Sequence, residues 1–211
     1  MSVLNYIATS NHIHLLCADH GNGEISRSMQ LIAGRTAHEF NTRKNRRGAF
    51  WEDRYHATAV QTDSHLARCM TYIDLNMVRA QVIQHPRDWE ISGYNEIQRP
   101  WMRKGVIDFD LLMSFLNVES QQELAGLQSQ QLGTEIAVTQ RNPMWTESVA
   151  VGDKRYLQGI KAGLGARGVH RQILFDKEVW TLREGSGRYF SFLDPVSGDQ
   201  GLESAEKCYI I

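Results

Sequence analysis

Two histidines one residue apart, His12 and His14, stand in the otherwise apolar run SNHIHLLCAD at residues 10–19. On a strand, alternate residues share a face, so both imidazoles would project one way while Ile13 and Leu15 project the other. At about 3.3 Å of rise per residue the two Cα atoms stand about 7 Å apart, near enough for both rings to meet one divalent ion. A partly exposed histidine pair on a sheet face satisfies the same spacing, and His-x-His is short enough to arise by chance. Tyr72 and Asn76 form a second pair, one helical turn apart. A phenolate attacking phosphorus would give a covalent intermediate. Phenols ionise only near pH 10 in water, so that chemistry needs a metal or cations beside it. Asn76 could lend an oxygen to the same ion. The plainer reading of Tyr72 is a surface or interface aromatic. A third feature is the basic run Arg43, Lys44, Arg46 and Arg47, followed by Trp51 and Tyr55. It could track a phosphate backbone with the aromatics stacking on bases. It could equally be a solvated helix end favoured by the helix dipole.

These residues need elements to hold them. Residues 3–9 and 12–17 read as β-rich runs around a Ser-Asn break, and 20–24 as turn chemistry. From Glu24 to about Lys44, Ile25, Met29, Ile32 and Phe40 recur near helical spacing, with Gly48 as a stop. Residues 50–60, FWEDRYHATAV, are aromatic and β-branched enough for a strand. A helix follows, capped by Asp63 or Ser64. Its apolar stripe is Leu66, Met70, Ile73 and Met77. The adjoining stripe of His65, Arg68, Tyr72, Asn76 and Arg79 predicts a polar face, and His85-Pro86 ends the element. A boundary near residues 98–105 divides the chain into 1–100 and 101–211. In the second part, 108–117 reads as a short helix, 121–131 as helix or linker, and a helix starts near 152. Residues 179–193 resemble a hairpin around Gly185-Ser186-Gly187. GLGARG at 163–168 matches a dinucleotide-binding pattern, but it follows residues that look helical, whereas that fingerprint must follow a strand.

Composition narrows the class. The chain has 211 residues, 42% hydrophobic and 22% charged, with a formal net charge of −1. This is ordinary for a globular protein with a substantial core. Whole-chain charge does not announce a nucleic-acid binder. No apolar run is long enough to span a membrane. Three scattered cysteines, Cys17, Cys69 and Cys208, make no metal or disulfide pattern and suggest a reducing cytoplasm.

Four stretches agree in order and spacing with a known family: SNHIHLL, NRRGAFWEDRYHATAV, MTYIDLNMVRA and HPRDWEISGYNEI. Over about residues 5–100 the chain resembles the REP-associated tyrosine transposases, within the single-tyrosine HUH superfamily of bacteria. The resemblance implies an α+β fold, a ferredoxin-like HUH nuclease domain with a mainly helical C-terminal region. It implies Mg²⁺ or Mn²⁺ held by His12, His14 and Asn76. It implies that Tyr72 cuts single-stranded or hairpin DNA, keeping a 5′-phosphotyrosine link and freeing a 3′-OH. The basic run with Trp51 and Tyr55 would bind the DNA. A monomer or homodimer acting on DNA in the bacterial cytoplasm, near the nucleoid and without a membrane partner, fits this picture. Met77 stands where the family pattern has proline, a change that suits a helix. The strand and helix that family members carry ahead of this point are not in the sequence, so the expectation is a truncated domain. Two alternatives follow: a catalytically impaired DNA-binding remnant, and a metal hydrolase using His12 and His14 with Glu52 or Asp53.

Overall fold

The computed structural model describes residues 1–21, 23–99, 101, 105–136, 142–176, 178–185 and 207–211. The fold is α+β. Among the described residues one sheet of seven strands runs through the molecule. In chain order these are β1 (Ser2–Ala8), β2 (Ile13–Asp19), β3 (Thr58–Val60), β4 (Ala150–Gly152), β5 (Arg171–Asp176), β6 (Val179–Glu184) and β7 (Lys207–Ile210). Across the sheet the order is β1-β2-β7-β3-β4-β6-β5. β3 and β4 pair in parallel; the other neighbours are antiparallel.

Helices cover both faces of this sheet, so its central strands are apolar on both sides rather than alternating with polar residues. Leu16, Ala18, Val60, Val151, Cys208 and Ile210 point into one layer. There they meet α2 (Ser64–Asp74), α5 (Phe109–Leu116) and α6 (Gln121–Glu135). Their alternating neighbours Cys17, Ala59, Ala150 and Tyr209 point into the other layer. That layer holds Ile25 of α1 (Glu24–Arg43) and Leu157 and Ile160 of α8 (Lys154–Gly163). Among the described residues there are also three short α-helices: α3 (Asn76–Arg79), α4 (Gly93–Gln98) and α7 (Met144–Glu147). Among the described residues, 101–211 therefore carry four α-helices and also supply four strands to the sheet begun by the N-terminal part.

Several expectations change in the structure. The strand expected at 50–60 shrinks to Thr58–Val60. The residues before it turn their side chains onto α1 instead of pairing their backbone: Trp51 Nε1 donates to the Ala33 carbonyl at 3.0 Å, and the Tyr55 and Ser26 hydroxyls are 3.0 Å apart. The long helix after Asp63 breaks at Leu75, so α2 and α3 are separate. Tyr72, expected on a polar face, is only 4% exposed. The hairpin expected around Gly185-Ser186-Gly187 falls mostly outside the described residues, which end at Gly185 and resume at Lys207. Ahead of it, β6 pairs back onto β5. Within the boundary expected at 98–105, Pro100 and residues 102–104 also lie outside them. The GLGARG segment does follow a helix: Gly165–Gly168 is a 3-10 turn after α8. The β1 edge is covered in part. Val3 and Ile7 bridge to Ile107 and Ser92, and their neighbours add hydrogen bonds from Asp108 N to Val3 O at 2.8 Å and from Ala8 N to Ile91 O at 3.1 Å.

Candidate functional site

The β1–β2 turn sets the first histidine. The Thr9 backbone N–H and hydroxyl both donate to the His12 carbonyl, at 2.9 and 2.8 Å, closing a tight turn just before β2. His14 shares the face of Leu16 and Ala18, the face that meets α2, but stands nearer the end of the strand where the layer opens. The two imidazole rings lie 5.2 Å apart, edge to face, and both line a cleft of about 1150 Å³.

α2 brings the second pair to the same cleft. Leu66, Met70 and Ile73 bury its apolar stripe, and the break at Leu75 starts α3 with Asn76. His12 Nε2 is 3.0 Å from Asn76 Oδ1. The ring of Tyr72 is 5.9 Å from that of His14 and 6.3 Å from that of Trp145. Arg79 closes back over this helix: its guanidinium carbon is 5.3 Å from the centre of the Tyr72 ring, and Nη1 donates to the Tyr72 carbonyl at 3.0 Å. His12, His14, Tyr72, Asn76 and Arg79 all line the cleft.

A buried carboxylate fixes the depth of α2. Asp74 accepts from Asn5 Nδ2 at 3.0 Å and from Gln128 Nε2 at 2.9 Å, tying α2 to β1 and to α6. Burial pushes its pKa up to about 7, against the pull of those two amide donors. His56, on the cleft wall, sits with Nε2 3.0 Å from the Ser148 carbonyl and 3.1 Å from the Thr58 hydroxyl. Burial holds its pKa below the usual histidine range.

The group first assigned to DNA divides in two. Trp51 and Tyr55 line the cleft. Arg43, Lys44, Arg46 and Arg47 are exposed and do not line it. The cleft takes in α1 only as far as Ala33, and ten further residues of helix put Arg43 about 15 Å beyond. Arg46 is held locally, donating to the Ala49 carbonyl at 2.8 Å and lying 5.8 Å from the centre of the Phe40 ring. Glu52 and Asp53 line the cleft too. Among the described residues no three His, Cys, Asp or Glu side chains group as metal ligands.

The donors that remain are two imidazoles and an amide oxygen. Asn11 Oδ1 lies 2.8 Å from His12 Nδ1 and calls for a proton there. In the tautomer that carries that proton, Nε2 turns a lone pair toward Asn76 Oδ1 at 3.0 Å, whereas the other tautomer donates from Nε2 to the same oxygen. A cation would satisfy the first arrangement, and a ligating histidine commonly donates its other N–H to a fixed oxygen, as Nδ1 does in that tautomer.

Sequence reading did not single out His56, Arg79 or Trp145 as site residues. His56 and Arg79 adjoin quoted motifs. Trp145 carries no local signal at all, because only the tertiary fold brings α7 against Tyr72.

Fold and site together define an α+β protein whose cleft gathers two histidines, an amide and a tyrosine. Residues 1–76 match the family described as transposase IS200 like, which supports the transposase family for that part of the chain. No curated protein and no solved structure matches the chain. Among the described residues no helix is long and apolar enough to cross a membrane.

Proposed function

We propose that this protein cuts and rejoins single-stranded DNA through Tyr72, as a REP-associated tyrosine transposase acting on hairpin DNA. One observation carries the reading: His12, His14, Asn76 and Tyr72, which come from separate parts of the sequence, share one cleft with His14 against the Tyr72 ring. The match of residues 1–76 to IS200-like transposases supports it.

His12, His14 and Asn76 would hold a divalent ion. The mixed nitrogen and oxygen donors suit Mn²⁺ better than Mg²⁺, which prefers oxygen ligands. When bound, the ion supplies Lewis-acid polarisation of the phosphate. Asn11 and Thr9 orient the His12 ring through Nδ1. Tyr72 near the end of α2 and Asn76 at the start of α3 stand only four residues apart, so nucleophile and ligand arrive together. Its phenol oxygen bonds to phosphorus as the bond from phosphorus to the 3′ oxygen breaks. This leaves a 5′-phosphotyrosine and a free 3′-OH, and the covalent link preserves the phosphoester for rejoining. Trp51 and Tyr55 offer faces to unpaired bases at the cleft. The basic turn beyond α1 would meet phosphates of the single strand.

The test uses labelled hairpin DNA with a single-stranded flank, in Mn²⁺ or Mg²⁺, scored for an adduct that survives SDS. Tyr72→Phe removes only the hydroxyl, so folding and DNA binding should persist while the adduct disappears. An equal adduct with Phe at position 72 would rule Tyr72 out as nucleophile. The slight exposure of Tyr72 favours a second reading, a protein that binds DNA without cutting it. That reading predicts DNA binding by the wild type with no adduct under either metal.

A further inference from the structure

Arg79 is the last residue of α3, yet its side chain turns back to the Tyr72 ring. Tyr72 and Glu135 are among the groups that hold it there. Nη1 donates to the Tyr72 carbonyl at 3.0 Å, and Nη2 lies 3.5 Å from Oε2 of Glu135, the last residue of α6. The side chain is 9% exposed and still lines the cleft. Taking a cation out of water is costly unless it is paired and hydrogen-bonded. The Glu135 carboxylate stands farther off than the about 2.7–2.9 Å of a close charge-assisted pair. Burial accordingly pulls the Arg79 pKa down while Glu135 pulls it back up. Arg54 also lines the cleft, but it is exposed and follows Glu52 and Asp53 directly in the chain.

A cation kept nearly dry, over the ring of a phenol and on the wall of the same cleft, is suited to an anion that arrives at that phenol. We propose that Arg79 is a catalytic residue that binds the non-bridging oxygens of the scissile phosphodiester in front of Tyr72. This rests on the reading of Tyr72 as nucleophile. Once the phenol proton has gone to water, the phenolate oxygen bonds to phosphorus, the bond to the 3′ oxygen breaks, and that oxygen takes a proton from water. The diester carries one negative charge, and attack by a phenolate gathers two about phosphorus. A guanidinium already in place therefore interacts more strongly with the transition state than with the bound substrate. Its planar fork matches a phosphate edge, while its face rests on an aromatic ring, a combination that lysine cannot reproduce.

The experiment first maps the linkage that the wild type cuts. It then follows single-turnover cleavage of that oligonucleotide by wild type, Arg79→Ala and Arg79→Lys, with affinity measured separately by fluorescence anisotropy. Arg79→Ala should cut about 100-fold more slowly, with affinity changed less than its rate. Guanidinium chloride at low millimolar concentration should restore part of the rate saturably, where equal potassium chloride does not. Arg79→Lys, which keeps the charge and stem, should still lose at least tenfold, and it carries the test if circular dichroism shows Arg79→Ala unfolded. Wild-type cleavage rates in either folded variant, or no rescue by guanidinium, would overturn the role of Arg79 and leave Tyr72 standing. A wild type that forms no adduct would overturn the Tyr72 reading and this proposal with it.

Discussion

The His12 ring is constrained on both sides. Both its nitrogens face side-chain oxygens, Asn11 Oδ1 at 2.8 Å and Asn76 Oδ1 at 3.0 Å. If the Asn76 oxygen completes an ion site with Nε2, deleting the amide should weaken metal binding without unfolding a helix whose apolar stripe is untouched. We predict that Asn76→Ala lowers Mn²⁺ affinity by about 10–100-fold, read by calorimetric titration of the DNA-free protein. Unchanged affinity would remove Asn76 from the ligand set. The same reasoning shows what was legible at this scale. His-x-His and Tyr-x-x-x-Asn can be read as two period arguments; their meeting follows from the family resemblance and not from periodicity, because it depends on the tight turn at Thr9 and the break at Leu75. The expected polar face of α2 was misjudged because Arg79 and Trp145 cover Tyr72, and no local pattern of charge announces a cover supplied by other elements.

Elements give two predictions. The first concerns α2. Asp74 is buried with its pKa raised from 3.8 to about 7, while an unfolded chain would leave it near its ordinary value. The folded state therefore holds this proton more tightly. The stability Asp74 contributes is fully present below about pH 4 and is lost as pH rises to about 7. In Asp74→Asn that pH dependence disappears, at the expense of one poorly paired amide, a loss of about 1–3 kcal/mol. Urea melts of both proteins from pH 4 to 8 should show the variant gaining on wild type as pH rises; a constant gap would contradict the assignment. The second concerns the turn after α1. Four phosphates neutralised on a single strand give a log–log salt slope of about −3, from about −0.7 per contact. Replacing Arg46 and Arg47 by Ala should bring that slope to about −1.5 in anisotropy titrations. An unchanged slope would mean that the run is only a solvated helix end. α1 itself was readable from its apolar spacing because it is long. The strand expected at 50–60 was not, because Trp51 and Tyr55 bond to α1 and take their backbone away from the sheet.

For the whole molecule the decisive strand is β7. It lies between β2 and β3, with Leu16 opposite Ile210 and Val60 opposite Cys208. Without it β2 and β3 have no neighbour to join them, and Leu16, Cys17 and Val60 lose their cover. A fragment of residues 1–100 should therefore lack a cooperative thermal transition by circular dichroism, although it contains His12, His14, Tyr72 and Asn76. A sharp transition in that fragment would show that the first part folds alone. A chain-local reading divides the sequence near residue 100. The sheet crosses that division because pairing between β2 and β7 is a contact of high sequence separation that no periodicity encodes. The α+β class was legible, since it needs only the element types. The sheet order was not.

All of this converges on the chemistry of one hydroxyl. The most direct measurement is mass spectrometry of the wild-type protein after reaction with hairpin DNA and Mn²⁺, with nuclease trimming and proteolysis. The account predicts a nucleotide attached through a 5′ phosphate to the peptide that contains Tyr72. A nucleotide found on another residue, or DNA cleaved with no nucleotide attached to the protein, would contradict it.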